Sequence, residues 1–244
     1  LGMHFFSPAN VMKLLEILRG DKTSPEVLAT AITAARKIGK VPVVVGVCHG
    51  FVGNRMLSAR SIEASRLILE GALTHEVDGA LTEFGFPMGP FAMNDLAGLD
   101  VSWRMRKAQG IKSEVADALC EQGRFGQKTG KGFYIYEPGS RSGRPDPEVE
   151  QIVVAASKRL GISRRPIDRK EIVERLVFPM INEGARILDE GIAQRPGDID
   201  VIWIYGYGFP IWRGGPMFYA DIVGLPYIRD RLAALAKATG DKSH

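Results

Sequence analysis

Short apolar runs dominate residues 1–46. Residues 3–6 and 14–18 are two such runs, each followed by turn-forming residues, and this pattern predicts two strands. The β-branched run over residues 41–45 predicts a third strand. Between the second and third runs, apolar and small residues recur at helical spacing, so the predicted order is β-β-α-β. A unit of this size is too small to form a domain. We therefore expect this segment to be the end of an α/β domain whose beginning lies upstream.

Helical spacing of apolar positions dominates the remainder of the chain. The helix inside the opening segment is predicted to begin at Pro25 with Ser24 as its N-cap. Residues 55–70 carry apolar side chains at helical spacing and predict a long helix. A stretch rich in Gly, Pro and Ser over residues 138–147 predicts a linker between two halves, and helical periodicity resumes at Val149.

The helical part contains an internal duplication. Residues recur in the same order at separations of 120, 123 and 126 positions, as a duplicated domain with two short insertions would leave them. We expect two similar helical units that pack through related faces, as the subunits of a dimer would. Three regions are therefore predicted: residues 1–46, 47–139 and 147–240. The matches are Glu70-Gly71 with Glu190-Gly191, Asp78 with Asp198, Phe86-Pro87 with Phe209-Pro210, Gly89-Pro90 with Gly215-Pro216, Asp95 with Asp221, and Gly98-Leu99 with Gly224-Leu225.

Composition and charge narrow the function classes. With 45% hydrophobic and 25% charged residues, the 244-residue chain has the composition of a globular protein. Its net charge of +4 makes no case for nucleic acid but is compatible with a small anionic ligand. No apolar run approaches the roughly 18–20 residues that span a membrane. Cys48 and Cys120 form no disulfide framework and indicate a reducing compartment, and no metal is expected because no further ligands stand at metal-site spacing.

His4 and Glu16 are the first candidates for chemistry. Alone, a histidine beside two phenylalanines is more often a hydrogen-bonded core residue, and a lone strand carboxylate is usually solvated. If the two strands are neighbours, however, side chains of like parity face the same way and these two can meet. The carboxylate would fix the imidazole tautomer and stabilise the imidazolium, which leaves the other ring nitrogen free to take a proton from a substrate hydroxyl.

Asn54 is the third candidate, at a junction where a β segment gives way to a helix. An asparagine there can also be a simple N-cap or turn residue, and the motif alone does not decide between the two roles. The duplication aligns Asn54 with Glu174, so the second copy lacks the amide, and it also lacks a counterpart of the His4 strand pair. Any site is therefore expected in the first copy.

The glycine-rich segment over residues 123–132 has some features of a phosphate-binding loop. Gly126 and Gly130 enclose three residues rather than four, and Gly132 stands where a Ser or Thr should hold magnesium. A turn or hairpin leading into residues 133–136 is the favoured interpretation. The chain contains no G-x-G-x-x-G fingerprint either, so no complete dinucleotide site is expected in it.

Six segments carry a family resemblance, and the last of them lies in the second copy. They are HFFSP at 4–8, MKLLE at 12–16, GFVGNR at 50–55, FGFPMGP at 84–90, GQKTGKGFY at 126–134 and GGPMFY at 214–219. The first five resemble the L-3-hydroxyacyl-CoA dehydrogenase family, and the resemblance covers essentially the whole chain. The second copy, with the sixth, is similar to that of the multifunctional β-oxidation enzymes, in which a hydratase/isomerase domain and a nucleotide-binding domain come first. The resemblance implies a mainly α fold, with a short α/β remnant of a Rossmann-type NAD domain followed by two tandem helical dehydrogenase domains, the second one degenerate.

The same resemblance implies a reaction and a role for each candidate residue. The parent enzyme would oxidise a 3-hydroxyacyl-CoA to a 3-ketoacyl-CoA with NAD as its cofactor. His4 would be the general base, Glu16 its carboxylate partner, and Asn54 a polar group that orients substrate and histidine. The family's glycine-rich NAD loop would lie upstream of Leu1, so this segment is expected to be inactive by itself.

Two other functions stay open. One is a non-catalytic helical module that docks on a thiolase or another chain, and the other is a dehydrogenase of small 3-hydroxy acids. Relatives of the second type generally use a lysine in the helical domain, and His4 with Glu16 argues against them. Residues 241–244 are not a peroxisomal Ser-Lys-Leu signal, so a bacterial cytoplasmic parent is expected rather than a peroxisomal one.

Overall fold

The computed structural model describes residues 1–240; the tail used in the targeting argument, residues 241–244, lies outside them. Helices dominate this range, which confirms the predicted mainly α fold. None of the helices in residues 1–240 has both the length and the apolar character needed to cross a membrane. The strands are β1 Gly2–Phe5, β2 Leu14–Leu18, β3 Val41–Val45, β4 Tyr134–Tyr136 and β5 Gly143–Pro145. The helices are α1 Pro25–Lys37, α2 Gly53–Glu70, α3 Thr74–Phe84, α4 Pro90–Ala97, α5 Leu99–Gln109, α6 Glu114–Glu121, α7 Pro147–Arg159, α8 Arg169–Asp189, α9 Pro196–Tyr207, α10 Pro216–Val223 and α11 Leu225–Thr239.

The opening segment folds into the predicted β-β-α-β order. Strand β1 runs antiparallel to β2, and β2 runs parallel to β3. On one face of this sheet, Leu15 and Ile17 pack against Ala31 of helix α1. Because side chains alternate along a strand, Leu14 and Glu16 face the opposite side. Helix α9 lies against that side, where Gly206 is so close that an added Cβ would stand 2.5 Å from Leu14 Cδ2.

Two compact units make up the chain. Residues 1–60 together with the residues from 174 onward form one, and residues 61–173 form the other. Helices α2 and α8 each run through a boundary between the units, so the first unit holds the sheet, the first two turns of α2 and most of the second copy. The three regions predicted from the sequence follow the duplication instead, and their boundaries stay a prediction.

In the first copy, helix α4 begins at a Gly-Pro turn that a carboxylate of α3 holds. Asp78 accepts hydrogen bonds from the backbone N–H groups of Phe91 (2.9 Å) and Ala92 (2.8 Å), which have no partner within their own helix. Gly89 is required here, because an added Cβ would lie 2.3 Å from Asp78 Oδ1. Pro90 suits the first helical position, where the missing N–H costs nothing.

The second copy repeats this turn with Asp200. Its carboxylate accepts from the backbone N–H groups of Met217 (2.7 Å) and Phe218 (3.4 Å) at the start of α10. The predicted match of Asp78 with Asp198 is therefore wrong by two positions. Helix α3 begins four residues after Glu70, whereas α9 begins six residues after the matching Glu190, so a constant separation of 120 fails there. Asp198 instead binds Arg195 at the start of its own helix.

Residues 123–136 form the predicted turn rather than a phosphate loop. A short 3₁₀ turn at Gln127–Thr129 leads toward β4. The backbone N–H groups of Phe133, just before β4, and of Tyr134, its first residue, donate to Asp95 at 2.9 and 3.0 Å. The Tyr136 hydroxyl donates to the same carboxylate at 3.0 Å, and the Tyr134 hydroxyl donates to Asp78 at 2.8 Å. The predicted linker is not wholly irregular, since it contributes strand β5, which pairs with β4.

A candidate active site on the sheet

The antiparallel register of β1 and β2 places His4 directly opposite Glu16. Side chains at paired positions share a face, and His4 Nδ1 lies 2.7 Å from Glu16 Oε2. The Glu16 side chain is fully buried, whereas 28% of the His4 side chain is exposed. With a carboxylate as its neighbour, Nδ1 carries the proton, so the unprotonated Nε2 is left to accept one from a ligand.

The second oxygen of Glu16 is engaged at the start of helix α2. Glu16 Oε1 accepts the backbone N–H of Gly53 at 3.1 Å, and Gly53 is the first residue of that helix. A carboxylate at this position satisfies one of the free N–H groups and lies at the positive end of the helix dipole. Both oxygens of this buried group are thus bound, which offsets much of the cost of removing it from water.

Asn54 lies in the first turn of α2, one residue after this contact. Its side chain is exposed, and its Oδ1 accepts a hydrogen bond from the Tyr207 hydroxyl at 2.8 Å. Tyr207 is the last residue of helix α9 and therefore belongs to the second copy. The structure brings His4, Glu16 and Asn54 to one region, and their roles in a reaction stay a prediction.

Aromatic side chains surround His4. Its ring centroid lies 4.9 Å from that of Phe6 and 5.2 Å from that of Phe51. Phe51 has a backbone φ of +51°, a left-handed conformation that is costly for a non-glycine residue, and it follows Gly50 at +74°. This double left-handed turn is the means by which the chain leaves the sheet and brings the Phe51 ring against the imidazole.

Tyr207 is fixed in place by rings and by a glycine. Its ring stacks on Trp203 at 4.6 Å and meets Phe6 edge-on at 5.3 Å. A Cβ on Gly53 would lie 2.5 Å from the Tyr207 ring, so only glycine allows this approach. Burial, and next the charge of Glu16, raise the pKa of the Tyr207 hydroxyl well above its usual value, which keeps it a hydrogen-bond donor.

Arg55 fixes the start of α2 to helix α8. Its Nε donates to Glu183 Oε1 at 2.5 Å, and its two terminal nitrogens donate to the two oxygens of Glu190 at 2.5 and 2.7 Å. The hydrogen bond to Glu190 is the main reason why the pKa of Arg55 is raised above its usual range. A paired guanidinium next to Asn54 holds the helical turn that carries the amide.

Sequence reasoning found three of these residues and missed two. Tyr207 has the same local surroundings in sequence as the exposed Tyr205, so no pattern separates them. Gly53 carries no side chain to attract attention, yet it supplies an N–H to Glu16 and space for a ring. Among residues 1–240 no three His, Cys, Asp or Glu side chains are arranged to hold a metal ion.

Comparison with known proteins identifies the family. Residues 1–48 match the NAD binding domain of 3-hydroxyacyl-CoA dehydrogenase, and residues 50–136 and 172–244 match its C-terminal domain. The chain is 48% identical to the peroxisomal bifunctional enzyme of Danio rerio, over 100% of this chain and 36% of that protein. It is also 48% identical to the peroxisomal bifunctional enzyme of Homo sapiens, over 95% of this chain and 35% of that protein. The chain thus spans about a third of the length of these relatives.

A solved structure supports the same assignment. The dehydrogenase part of multifunctional enzyme 1 from C. elegans superposes with a TM-score of 0.76 at 35% identity. The match covers 99% of this chain and 56% of that structure.

The expectation of a bacterial cytoplasmic parent is wrong. The relatives from Danio rerio and Homo sapiens are named peroxisomal enzymes, and so is one from Oryza sativa that is 38% identical. The error came from giving residues 241–244 the weight of a natural terminus, which the sequence does not establish. The resemblance stated from six sequence segments is confirmed, and the chain belongs to the 3-hydroxyacyl-CoA dehydrogenase family.

Proposed function

We propose that this chain supplies the proton-transfer and substrate-orienting part of an NAD-dependent L-3-hydroxyacyl-CoA dehydrogenase. The observation that carries the proposal is the 2.7 Å contact of the partly exposed His4 with the buried Glu16. The reaction converts a 3-hydroxyacyl-CoA and NAD into a 3-ketoacyl-CoA, NADH and a proton. The relative from Oryza sativa, named a peroxisomal fatty acid beta-oxidation multifunctional protein, supports this substrate class.

His4 acts as the general base. Its Nε2 takes the proton of the 3-hydroxyl, and the C3–O bond becomes a carbonyl as a hydride leaves C3. The imidazole then carries a positive charge, which the adjacent Glu16 carboxylate stabilises. Because Glu16 is held on its other oxygen by the Gly53 N–H, the carboxylate does not need to reorient during the step.

Asn54 orients the reacting oxygen. Its amide oxygen is bound by Tyr207, so the two N–H bonds of the amide are the groups left for a substrate oxygen. Phe6 and Phe51 next to His4 exclude water from one side of the imidazole. This arrangement supports a site that binds a substrate oxygen between an imidazole and an amide.

The residues present fit only part of an NAD site. Residues 1–48 match the family's NAD binding domain, but they contribute three strands and one helix, and the 244 residues contain no G-x-G-x-x-G turn to hold a pyrophosphate. NAD, when bound, accepts the hydride from C3. The chain alone is accordingly expected not to turn over, and activity belongs to the natural protein that contains these residues.

The test is NADH oxidation by that natural protein with acetoacetyl-CoA. We expect His4→Gln to lower kcat by about 10²–10⁴-fold, the range that a general base contributes. His75→Gln is the matched control, because it makes the same chemical change at an exposed helical position in the other compact unit. Turnover by His4→Gln at the wild-type rate would contradict the proposal.

Substrate class is decided in the same assay. Free acetoacetate replaces the thioester, and equal turnover of the two would favour a dehydrogenase of small 3-hydroxy acids. Absence of both turnover and acyl-CoA binding in the unmodified natural protein would favour the non-catalytic helical module.

We infer a peroxisomal location for the natural protein, supported by the names of its relatives from animals and plants. Microscopy of the tagged natural protein against a peroxisomal marker tests this inference. A thiolase partner stays a prediction from the family resemblance alone.

A further inference from the structure

The Asn54 amide has two ends, and something has to decide which one faces a ligand. Its oxygen and nitrogen are nearly the same size, so packing alone does not select an orientation. A substrate hydroxyl that gives its proton to His4 develops negative charge on oxygen, and that oxygen is stabilised by N–H donors rather than by a carbonyl. The amide is therefore useful only when its oxygen is turned away from the reacting atoms.

The geometry points to Tyr207 as the positioning residue that selects this orientation. By donating its hydroxyl proton to Asn54 Oδ1 at 2.8 Å, it occupies the amide oxygen and leaves both N–H bonds for the substrate. This inference rests on the proposed function. It also gives the second copy a part in the chemistry, since Tyr207 ends helix α9 while Asn54 begins helix α2.

Three contacts hold the Tyr207 ring so that its hydroxyl reaches the amide. The ring lies on Trp203 and meets Phe6 edge-on, and Gly53 leaves room for it. Trp203 is itself fully buried, and its indole N–H points at Met56 Sδ at 3.1 Å. A ring clamped on these sides has little freedom to point its hydroxyl elsewhere, which is the condition for positioning a neighbour.

The ionisation of Tyr207 agrees with a donor role. Burial and the nearby charge of Glu16 raise the pKa of its hydroxyl, while Arg60 on the same side lowers it by less. The phenol stays protonated, so it donates to the amide oxygen and does not compete with His4 as a base.

The first experiment uses Tyr207→Phe in the natural protein, with Tyr205→Phe as the matched control. Tyr205 lies on the same helix, is exposed, and loses the same hydroxyl. We expect Tyr207→Phe to lower kcat with acetoacetyl-CoA roughly three- to tenfold, the effect of one lost neutral hydrogen bond, with KM little changed. Tyr205→Phe should match the wild type.

A double-mutant cycle separates positioning from mere packing. In an Asn54→Ala background Tyr207 has no amide to orient, so Tyr207→Phe should have no further effect on kcat. Equal effects of Tyr207→Phe with and without Asn54 would overturn the inference. Side-chain ¹⁵N–¹H signals of Asn54 give a second readout in the natural protein. We expect Tyr207→Phe to shift or broaden them, and unchanged signals would also overturn the inference.

Failure of this inference is distinct from failure of the proposed function. If His4→Gln abolishes turnover while Tyr207→Phe equals the wild type, the dehydrogenase stands and the positioning role is refuted. If His4→Gln keeps full turnover, the reaction itself is misassigned, whatever the behaviour of Tyr207.

Discussion

The two helical copies hold their Gly-Pro turns in the same way, but they differ in the burial and hydrogen bonding of the carboxylate that follows the turn. Asp95 and Asp221 both occupy the sixth position of the helix after the turn, and the glycines that end those helices have nearly equal dihedral angles (Gly98 φ 92°, ψ 116°; Gly224 φ 96°, ψ 116°). Asp95 is buried and accepts three hydrogen bonds from the β4 segment, whereas Asp221 is exposed.

The cause of this difference is the segment that follows helix α6. In the first copy β4 covers the carboxylate and brings two backbone donors and a tyrosine to it. Within residues 1–240, the second copy has no strand after α10, only helix α11. A carboxylate at the same helical position is thus structural in one copy and solvated in the other. The Gly-Pro turn is the same in both copies, whereas the segment that covers the following helix differs. A duplicated fold can thus keep its buried turn contacts while its surface segments diverge.

The largest difference in stability is expected between the variants that remove this carboxylate from the first copy and from the second. Asp95→Ala leaves two backbone N–H groups and the Tyr136 hydroxyl buried without an acceptor, and we expect a loss of about 3–4 kcal/mol in the free energy of unfolding. Asp221→Ala should change it by about 0.5 kcal/mol or less, as exposed positions do. Urea denaturation followed by circular dichroism measures both, and similar losses for the two variants would refute the contrast.

A smaller effect on the free energy of unfolding is expected from Asp200, and it depends on pH. Burial raises its pKa to about 6, and the charge of Asp221 adds to this. The folded carboxyl therefore keeps its proton up to about pH 6, while the unfolded one loses it near pH 4. Its contribution to stability is fully present below pH 4 and is lost as the pH rises through 6.

Asp200→Asn isolates that contribution. The backbone N–H groups of Met217 and Phe218 both donate to Oδ1, so an amide oxygen can keep these hydrogen bonds while the titration disappears. Relative to the wild type, the variant should gain up to about 3 kcal/mol in unfolding free energy between pH 4 and pH 7. A difference between the two proteins that does not vary with pH would count against this account. Asp95 gives a less clean test, although its pKa is also raised to about 6, because both of its oxygens accept hydrogen bonds.

The smallest effect on stability is expected from replacing glycines in α3 and α9, the helices that carry Asp78 and Asp200. Gly79 lies inside α3 with open space where a Cβ would be, and we expect Gly79→Ala to stabilise the protein by roughly 0.5–1 kcal/mol. Gly197 is equally unobstructed but lies in the first turn of α9, so Gly197→Ala should gain less. Thermal unfolding of both variants provides the comparison, and destabilisation by Gly79→Ala would show that the position is not free.

Local patterns were sufficient for much of this fold. The bounds of β2 and β3, and the start of α1 after Ser24, follow from apolar runs and capping residues because those depend on neighbours in sequence. The parity argument that joined His4 to Glu16 worked for the same reason, once the strands were adjacent. Matching Asp78 with Asp198 failed because α9 begins two residues further from Glu190 than α3 begins from Glu70, and a constant spacing cannot report such an insertion.

Residues that act across long separations were beyond the sequence. Tyr207 reaches Asn54 over 153 positions, and only the packing of α9 on the sheet brings them together. The Gly53 N–H that binds Glu16 is a backbone group, which no residue pattern reports. Residue patterns supplied the three candidates, the family resemblance supplied their roles, and the three-dimensional arrangement supplied the partners that hold them.

The double engagement of Glu16 has a consequence for how its variants are interpreted. Its oxygens face two donors, the imidazole N–H of His4 and the backbone N–H of Gly53. A glutamine of the same shape would set its NH₂ group against the Gly53 N–H in one orientation. In the other orientation the NH₂ group would face His4, whose Nδ1 would have to accept, and the ring proton would then lie on Nε2. Joining the sheet to a helix and orienting the histidine are therefore inseparable properties of one side chain, and lost activity at this position reports on architecture as much as on proton transfer.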